Sequence, residues 1–188
     1  LFRSEGEKAF CAGASFDELI SISDFATGKK FFSGFAAVIN AMRKAPKLII
    51  ARVQGKAVGG GVGLAAAADY TLATEAALAK LSELNVGIGP FVVGPAVERK
   101  IGTSAFSSMS INAGEWMSAA WAREKGLYVN IYPTIDELDK AVDELAGKLA
   151  QSNPEAMALL QKVCWQRTEA WDNLLSERAE TSGKLVLS

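Results

Sequence analysis

The chain has 188 residues and a formal net charge of −1, which suits one domain with a buried core and offers no basic surface for nucleic acid or an anionic membrane. No apolar run is long enough for a transmembrane helix. Histidine is absent, which excludes Ser–His and Cys–His nucleophile pairs and histidine-containing metal sites within these residues. We therefore expect a cytoplasmic protein whose chemistry uses carboxylates, amines or the backbone, with no metal and no resident cofactor.

The first predicted elements are a strand end, a capped helix and a long helix. Lys8–Ala14 is apolar and interrupted by glycine, which predicts a strand end that runs into a turn. Ser15 and the acidic residues after it predict a helix N-terminus. Apolar periodicity predicts a helix over residues 29–44, which Pro46 ends.

Further strands and a short helix follow, and the rest of the chain is helical in pattern. Strands are predicted over 47–53, 70–74 and 77–81, with a short helix over 64–69. Helices are predicted over 94–101, 104–111, 118–125, 135–150 and 154–176. Strands with intervening helices followed by helices alone favour one mixed α/β core with a helical tail.

A glycine run, Gly55–Gly63, follows a buried strand and opens a helix. A phosphate-binding Walker loop is excluded because its lysine belongs at the helix start, whereas Lys56 lies at the other end. Gly61–Ala66 formally fits a dinucleotide fingerprint, with Glu83 downstream, but the short helix disfavours a Rossmann crossover. Two interpretations remain: a plain glycine turn, or an oxyanion hole made from helix N-terminal N–H groups.

Other segments favour the second interpretation, because they resemble the crotonase family, the enoyl-CoA hydratase/isomerase superfamily. Lys8–Leu19 resembles its first signature, and Lys47–Ala73 resembles its second. Ser82–Gly102 and Ser118–Gly126 are similar to later family segments in the same order. The resemblance covers nearly the whole chain, and two ordered signatures are more specific than either alone.

The resemblance implies the fold and the assembly. We expect a crotonase-like ββα spiral core over residues 1–133, without its N-terminal part, and an incomplete C-terminal helical region over 134–188. That region would take part in a homotrimer or a dimer of trimers. The chain opens without Met and stops mid-pattern, so we expect it to be the middle of a longer protein.

The resemblance also implies an acyl-CoA thioester substrate, whose coenzyme A is part of the substrate, and a set of site residues. Ala14 and Gly60 correspond to the two backbone donors of the oxyanion hole, and Glu83 corresponds to a catalytic carboxylate. The other residues placed along the substrate are Ala12, Ser15, Phe16, Val58, Gly59, Gly63, Ser82 and Val86.

The chain departs from the family pattern at its proton carriers. Family hydratases have one glutamate three residues after the middle glycine and another in a Pro-Glu pair; here these positions are Gly63 and Ser82-Glu83. Two carboxylates suit the activation of water, whereas one suits a simple proton shuttle, with a pKa raised by an apolar pocket. We therefore favour double-bond isomerisation slightly over hydration. The alternative is a non-catalytic or weakly active acyl-CoA binder.

A second departure follows Glu83. The family often has a Pro-Gly-x-Gly-Gly-Thr loop where this chain has Gly89–Gly94. That loop borders the acyl pocket, so we expect Phe91 and the two valines after it to form an apolar, restricted wall that suits lipid-like or branched acyl groups.

Overall fold

Short strands and helices alternate through the first part of the chain, and helices follow, in the computed structural model, which describes residues 1–188. The strands are β1 Phe2–Arg3, β2 Ala9–Cys11, β3 Ile50–Val53, β4 Lys56–Val58, β5 Tyr70–Thr74, β6 Ala79–Lys80 and β7 Asn130–Tyr132. The α-helices are α1 Phe16–Ile20, α2 Phe25–Lys44, α3 Gly60–Ala67, α4 Gly94–Ile111, α5 Ala119–Glu124, α6 Ile135–Ala150, α7 Pro154–Cys164 and α8 Trp171–Leu185. A 3-10 turn, Glu83–Val86, follows β6. The predicted α/β class is confirmed.

The strands form two parallel sheets, and successive strands along the chain belong alternately to one sheet and to the other. One sheet has the order β1-β3-β5-β7, and the other has the order β2-β4-β6. Each successive pair, β1 with β2, β3 with β4 and β5 with β6, gives one strand to each sheet before a helical segment returns the chain. This repeated step is the predicted ββα spiral.

The smaller sheet determines where the functional loops lie. β4 pairs in parallel with β2 on one side and with β6 on the other. Parallel neighbours end at the same edge of a sheet, so the residues that follow the three strands are brought together there. In α/β proteins, ligands bind at this carboxyl edge.

Helix α3 lies at the centre of the core. Its residues Ala65, Ala66 and Ala67 are fully buried, and a helix that is apolar all round belongs in a protein interior. Small side chains let the surrounding elements approach it closely.

The helical tail packs on this core. In α6, Leu138 and Val142 cover Leu72 of the larger sheet. Helix α8 lies along α2, and the two helices approach so closely that a Cβ on Gly28 would come within 2.9 Å of the Gly183 carbonyl oxygen.

The predicted boundary between core and tail at residue 133 lies next to the end of β7, at Tyr132. Trimerisation through the tail stays a prediction. No helix combines the length and apolar character needed to cross a bilayer.

The prediction of one tail helix over 154–176 is wrong, because the chain turns between α7 and α8. Arg167 has a positive φ of 68°, and the rings of Trp165 and Trp171 pack edge to face at 5.8 Å across the corner. The indole N–H of Trp165 also donates to Asp69 Oδ1 at 2.8 Å. These contacts with the core decide the turn, and helical periodicity does not reveal them.

Two predicted helix starts were too late. α2 begins at Phe25, four residues before the predicted start, because Asp24 caps it by accepting from the Thr27 N–H at 2.8 Å. α3 begins at Gly60 instead of residue 64, directly after Gly59, whose φ is +52°. The predicted helices over 94–101 and 104–111 are the two halves of α4, which kinks at Gly102.

The strand predicted over 70–74 is confirmed as β5, whereas two other strands are shorter than predicted and three are absent from the prediction. The segments predicted over 47–53 and 77–81 are strands only over Ile50–Val53 and Ala79–Lys80. β1, β4 and β7 have two or three residues each. Runs this short carry too little alternation to be recognised.

Candidate active site

A cavity of about 190 Å³ opens at the carboxyl edge of the smaller sheet. Most of the residues predicted along the substrate line it together: Ala12, Ala14, Phe16, Val58, Gly59, Gly60, Ser82, Glu83 and Val86. The loop after the 3-10 turn adds Phe91, Val92 and Val93, as expected for its apolar wall. Glu83 is the only titratable side chain among the lining residues.

Glycines bring the first two loops into contact. Gly13 follows β2 with a φ of +91°, and a Cβ there would lie 3.2 Å from the Val58 carbonyl oxygen and 3.8 Å from the Gly60 nitrogen. A Cβ on Gly61 would overlap the Cys11 carbonyl oxygen and lie 2.9 Å from Cys11 Cβ. Side chains at these positions would separate the loops.

Two backbone N–H groups of these loops are available to a ligand. Neither Ala14 nor Gly60 donates a loop or turn hydrogen bond, and Gly60, as the first residue of α3, has no acceptor within the helix. The positive end of the helix dipole lies at the same place. The arrangement suits an oxygen atom that gains negative charge.

Glu83 begins the 3-10 turn and places its carboxylate against Gly59. A Cβ on Gly59 would lie 3.0 Å from Glu83 Oε1 and would crowd the carboxylate, and the φ of +52° also favours glycine at this position. Glu83 Oε2 is buried and has no hydrogen-bond partner. Burial raises the pKa of Glu83 to about 7, and the backbone groups of Glu83 and Ser82 oppose this shift only in part. A carboxyl group with this pKa can take up and release protons near neutrality.

Two predicted substrate contacts lie outside the cavity lining. Ser15 caps α1 by accepting from the Glu18 N–H at 3.2 Å, and it lines a neighbouring groove between α1 and α2. Gly63 is buried because Val93 covers it: a Cβ on Gly63 would overlap Val93 Cγ1 and lie 2.5 Å from Val93 Cβ.

Sequence reasoning missed the far wall of the cavity. Helix α2 contributes Phe31, Phe32 and Phe35, and α8 contributes Ser182. Phe31 and Phe35 lie four residues apart on one helix face, a pattern that predicts burial but not a ligand pocket. Nothing in the sequence connects Ser182 with the glycine run.

Comparisons with known proteins agree with this architecture. The sequence model of the enoyl-CoA hydratase/isomerase family matches residues 2–183. The chain is 35% identical over 155 residues to YngF of Bacillus subtilis, whose name places it among enoyl-CoA hydratase/isomerases, and it covers 58% of that protein and 81% of itself. It is 35% identical over 158 residues to carnitinyl-CoA dehydratase of Salmonella enteritidis, covering 59% of that protein and 84% of itself. The chain thus spans about three fifths of the length of these relatives.

Solved structures show the same fold. A crystal structure of an enoyl-CoA hydratase from Shewanella pealeana matches with a TM-score of 0.79 and 29% identity, over 91% of this chain and 62% of that one. The enoyl-CoA hydratase from Bacillus halodurans matches with a TM-score of 0.89 over 99% of this chain and 76% of that one, at 20% identity. The predicted crotonase-like fold is confirmed, and the chain belongs to the enoyl-CoA hydratase/isomerase family.

Proposed function

We propose that the chain shifts a carbon–carbon double bond in an acyl-CoA thioester, with Glu83 as its sole acid and base. The observation that carries this proposal is that Glu83 is the only titratable group lining the cavity. Its buried Oε2 has no protein hydrogen-bond partner, so no protein group competes with substrate for the carboxylate. The reaction needs no cofactor beyond the coenzyme A of the substrate.

The N–H groups of Ala14 and Gly60 would hold the thioester oxygen. Removal of a proton from C2 of a 3-enoyl thioester turns its carbonyl into an enolate, whose negative oxygen these donors stabilise. Glu83 takes that proton and returns it to C4, while the double bond moves from C3–C4 to C2–C3. Atoms and charge balance, and no water enters.

Hydration of a 2-enoyl thioester is the second candidate reaction. It is supported by the names of the relatives, which include enoyl-CoA hydratases and a dehydratase. We place it second because water must be held and deprotonated beside the substrate, a role that suits a second carboxylate. The cavity supplies only Glu83.

The alternative to an enzyme is an acyl-CoA binder with little turnover. Kinetics with 3-enoyl-CoA and 2-enoyl-CoA substrates, set beside calorimetric titration with a saturated acyl-CoA, separate the three functions. We expect isomerisation to be at least about tenfold faster than hydration, with binding of the saturated thioester. Binding of the saturated acyl-CoA without turnover of either enoyl-CoA would exclude both reactions and support the acyl-CoA binder.

The pH dependence of turnover is a further prediction. A base must be ionised to accept a proton, so kcat/KM should be constant above about pH 8 and fall on the acid side with an apparent pKa of about 7. A profile with its acid limb near pH 4.5, the ordinary range of a glutamic acid, would contradict a buried base. The measurement is kcat/KM for a 3-enoyl-CoA from about pH 4 to about pH 9.

Self-association belongs to the same proposal. Helix α7 exposes Leu159, Leu160 and Val163, whose exposed fractions are 55%, 50% and 56%. Adjacent apolar side chains in water support an interface with another copy of the chain, as expected for a homotrimer or a dimer of trimers. A cytoplasmic location also stays a prediction.

A further inference from the structure

Val93 and Gly63 fill one space that lies beside the Glu83 carboxylate. A Cβ on Gly63 would overlap Val93 Cγ1, would lie 2.5 Å from Val93 Cβ and would lie 3.5 Å from Val93 Cα. Position 63 can therefore carry no side chain while position 93 does. The two departures from the family pattern are in direct contact.

Helix geometry places this contact next to Glu83. Gly59 and Gly63 are four residues apart, and the Gly63 N–H donates to the Gly59 carbonyl oxygen at 3.2 Å. Gly59 is the N-cap of α3 and Gly63 lies in its first turn, and Glu83 and Val93 line the same cavity. The Glu83 carboxylate lies on Gly59, and Val93 lies on Gly63. A side chain at position 63 would therefore stand beside Glu83, where Val93 stands now.

Val93 cannot move aside easily. It is 4% exposed, and its carbonyl oxygen accepts from the Val97 N–H at 3.1 Å at the start of α4. Its branched side chain has few rotamers. The apolar wall beside Glu83 is thus a rigid part of the site.

We propose that Val93, seated on Gly63, is the residue that determines the choice of reaction, because it occupies the place from which a second carboxylate would activate water. This inference rests on the proposed function of Glu83. Hydration adds a hydroxyl group to C3 and a proton to C2 of a 2-enoyl thioester, so one group must hold and deprotonate water while another delivers the proton. With Val93 in place, only the proton carrier remains.

The packing is tested by the sign of a stability change. In the wild-type background, Gly63→Ala should lower the unfolding midpoint by about 4–8 °C, because the new methyl group overlaps Val93. In a Val93→Gly background the same change should raise the midpoint by about 2–4 °C, because it fills space and favours the helix. Val93→Ala should not reverse the sign, since the alanine Cβ would remain 2.5 Å away.

Gly147→Ala is the matched control for these substitutions. Gly147 also lies inside a helix, α6, and a Cβ there meets no atom within 4 Å. It should raise the midpoint slightly in every background. If Gly63→Ala behaves like this control in the wild-type protein, the packing argument is overturned.

The reaction is tested with Gly63→Glu/Val93→Gly against Gly63→Gln/Val93→Gly, which matches it in size but provides no base. The glutamate variant should have a ratio of hydration to isomerisation at least about tenfold above that of the glutamine variant. Equal ratios in the two folded variants would overturn the inference while leaving Glu83-dependent isomerisation by the wild type intact. If instead the wild type isomerises nothing but the glutamate variant hydrates, the inference holds and the proposed function fails.

Discussion

Glu83→Gln is expected to lower isomerisation of a 3-enoyl-CoA by about 10³-fold, with little change in the binding of a saturated acyl-CoA. The amide keeps the size of the side chain against Gly59 but cannot accept a proton, and positioned general bases contribute about 10²–10⁴-fold. No other titratable side chain lines the cavity to replace it. The measurements are kcat from steady-state kinetics and the Kd from calorimetry.

The same substitution should stabilise the protein at high pH. Burial raises the pKa of folded Glu83 from 4.5 to about 7, so the stability linked to its protonation is fully present below pH 4.5 and is lost as pH rises through 7. At pH 9 the ionised, buried carboxylate destabilises the wild type by about 3 kcal/mol, which Gln avoids. The unfolding midpoint of the variant, relative to wild type, should therefore increase by about 5–10 °C between pH 5 and pH 9.

Glu75→Gln is the matched control. Glu75 is exposed, directly follows β5 and does not line the cavity. It should change neither kcat nor the pH dependence of stability. Retention of more than about a tenth of wild-type turnover by folded Glu83→Gln would mean that another group moves the proton.

Gly60→Ala should also lower kcat/KM, by about 10²–10³-fold, the usual effect of losing one oxyanion donor. A Cβ on Gly60 would overlap the Phe35 ring, with Cε2 at 2.9 Å. Either the ring or the start of α3 must shift, and the N–H of Gly60 moves with the helix. Steady-state kinetics with a 3-enoyl-CoA measure the loss, and circular dichroism checks that the variant is folded.

Phe35→Ala tests whether the loss of kcat/KM in Gly60→Ala comes from the contact between the new methyl group and the Phe35 ring. If the methyl group acts by pushing the helix away from Phe35, removing the ring should relieve the effect. The loss of kcat/KM caused by Gly60→Ala should then be about tenfold smaller in the Phe35→Ala background than in the wild-type background. Wild-type turnover by folded Gly60→Ala would contradict the expected loss, and it would mean that the Phe35 ring moves aside while the N–H keeps its place. Gly147→Ala again serves as the control for adding a methyl group to a helical glycine.

The core of the candidate site could be predicted because its residues lie in segments that resemble the family signatures. Ala14, Gly60 and Glu83 come shortly after β2, β4 and β6, and parallel pairing brings those ends to one edge. The glycines predicted the close contacts, since only glycine tolerates them. Signals of this kind are local, so they can be read along the chain.

Other features depend on residues far apart in sequence, and only the tertiary structure decided them. The break between α7 and α8 follows from the contact of Trp165 with Asp69, and the far wall of the cavity comes from α2 and α8. The sequence alone determined that position 63 carries no carboxylate. Only the tertiary structure decided that Val93 fills the space that a side chain at position 63 would need. A missing side chain leaves a gap or a filled space according to which neighbour the fold packs against it.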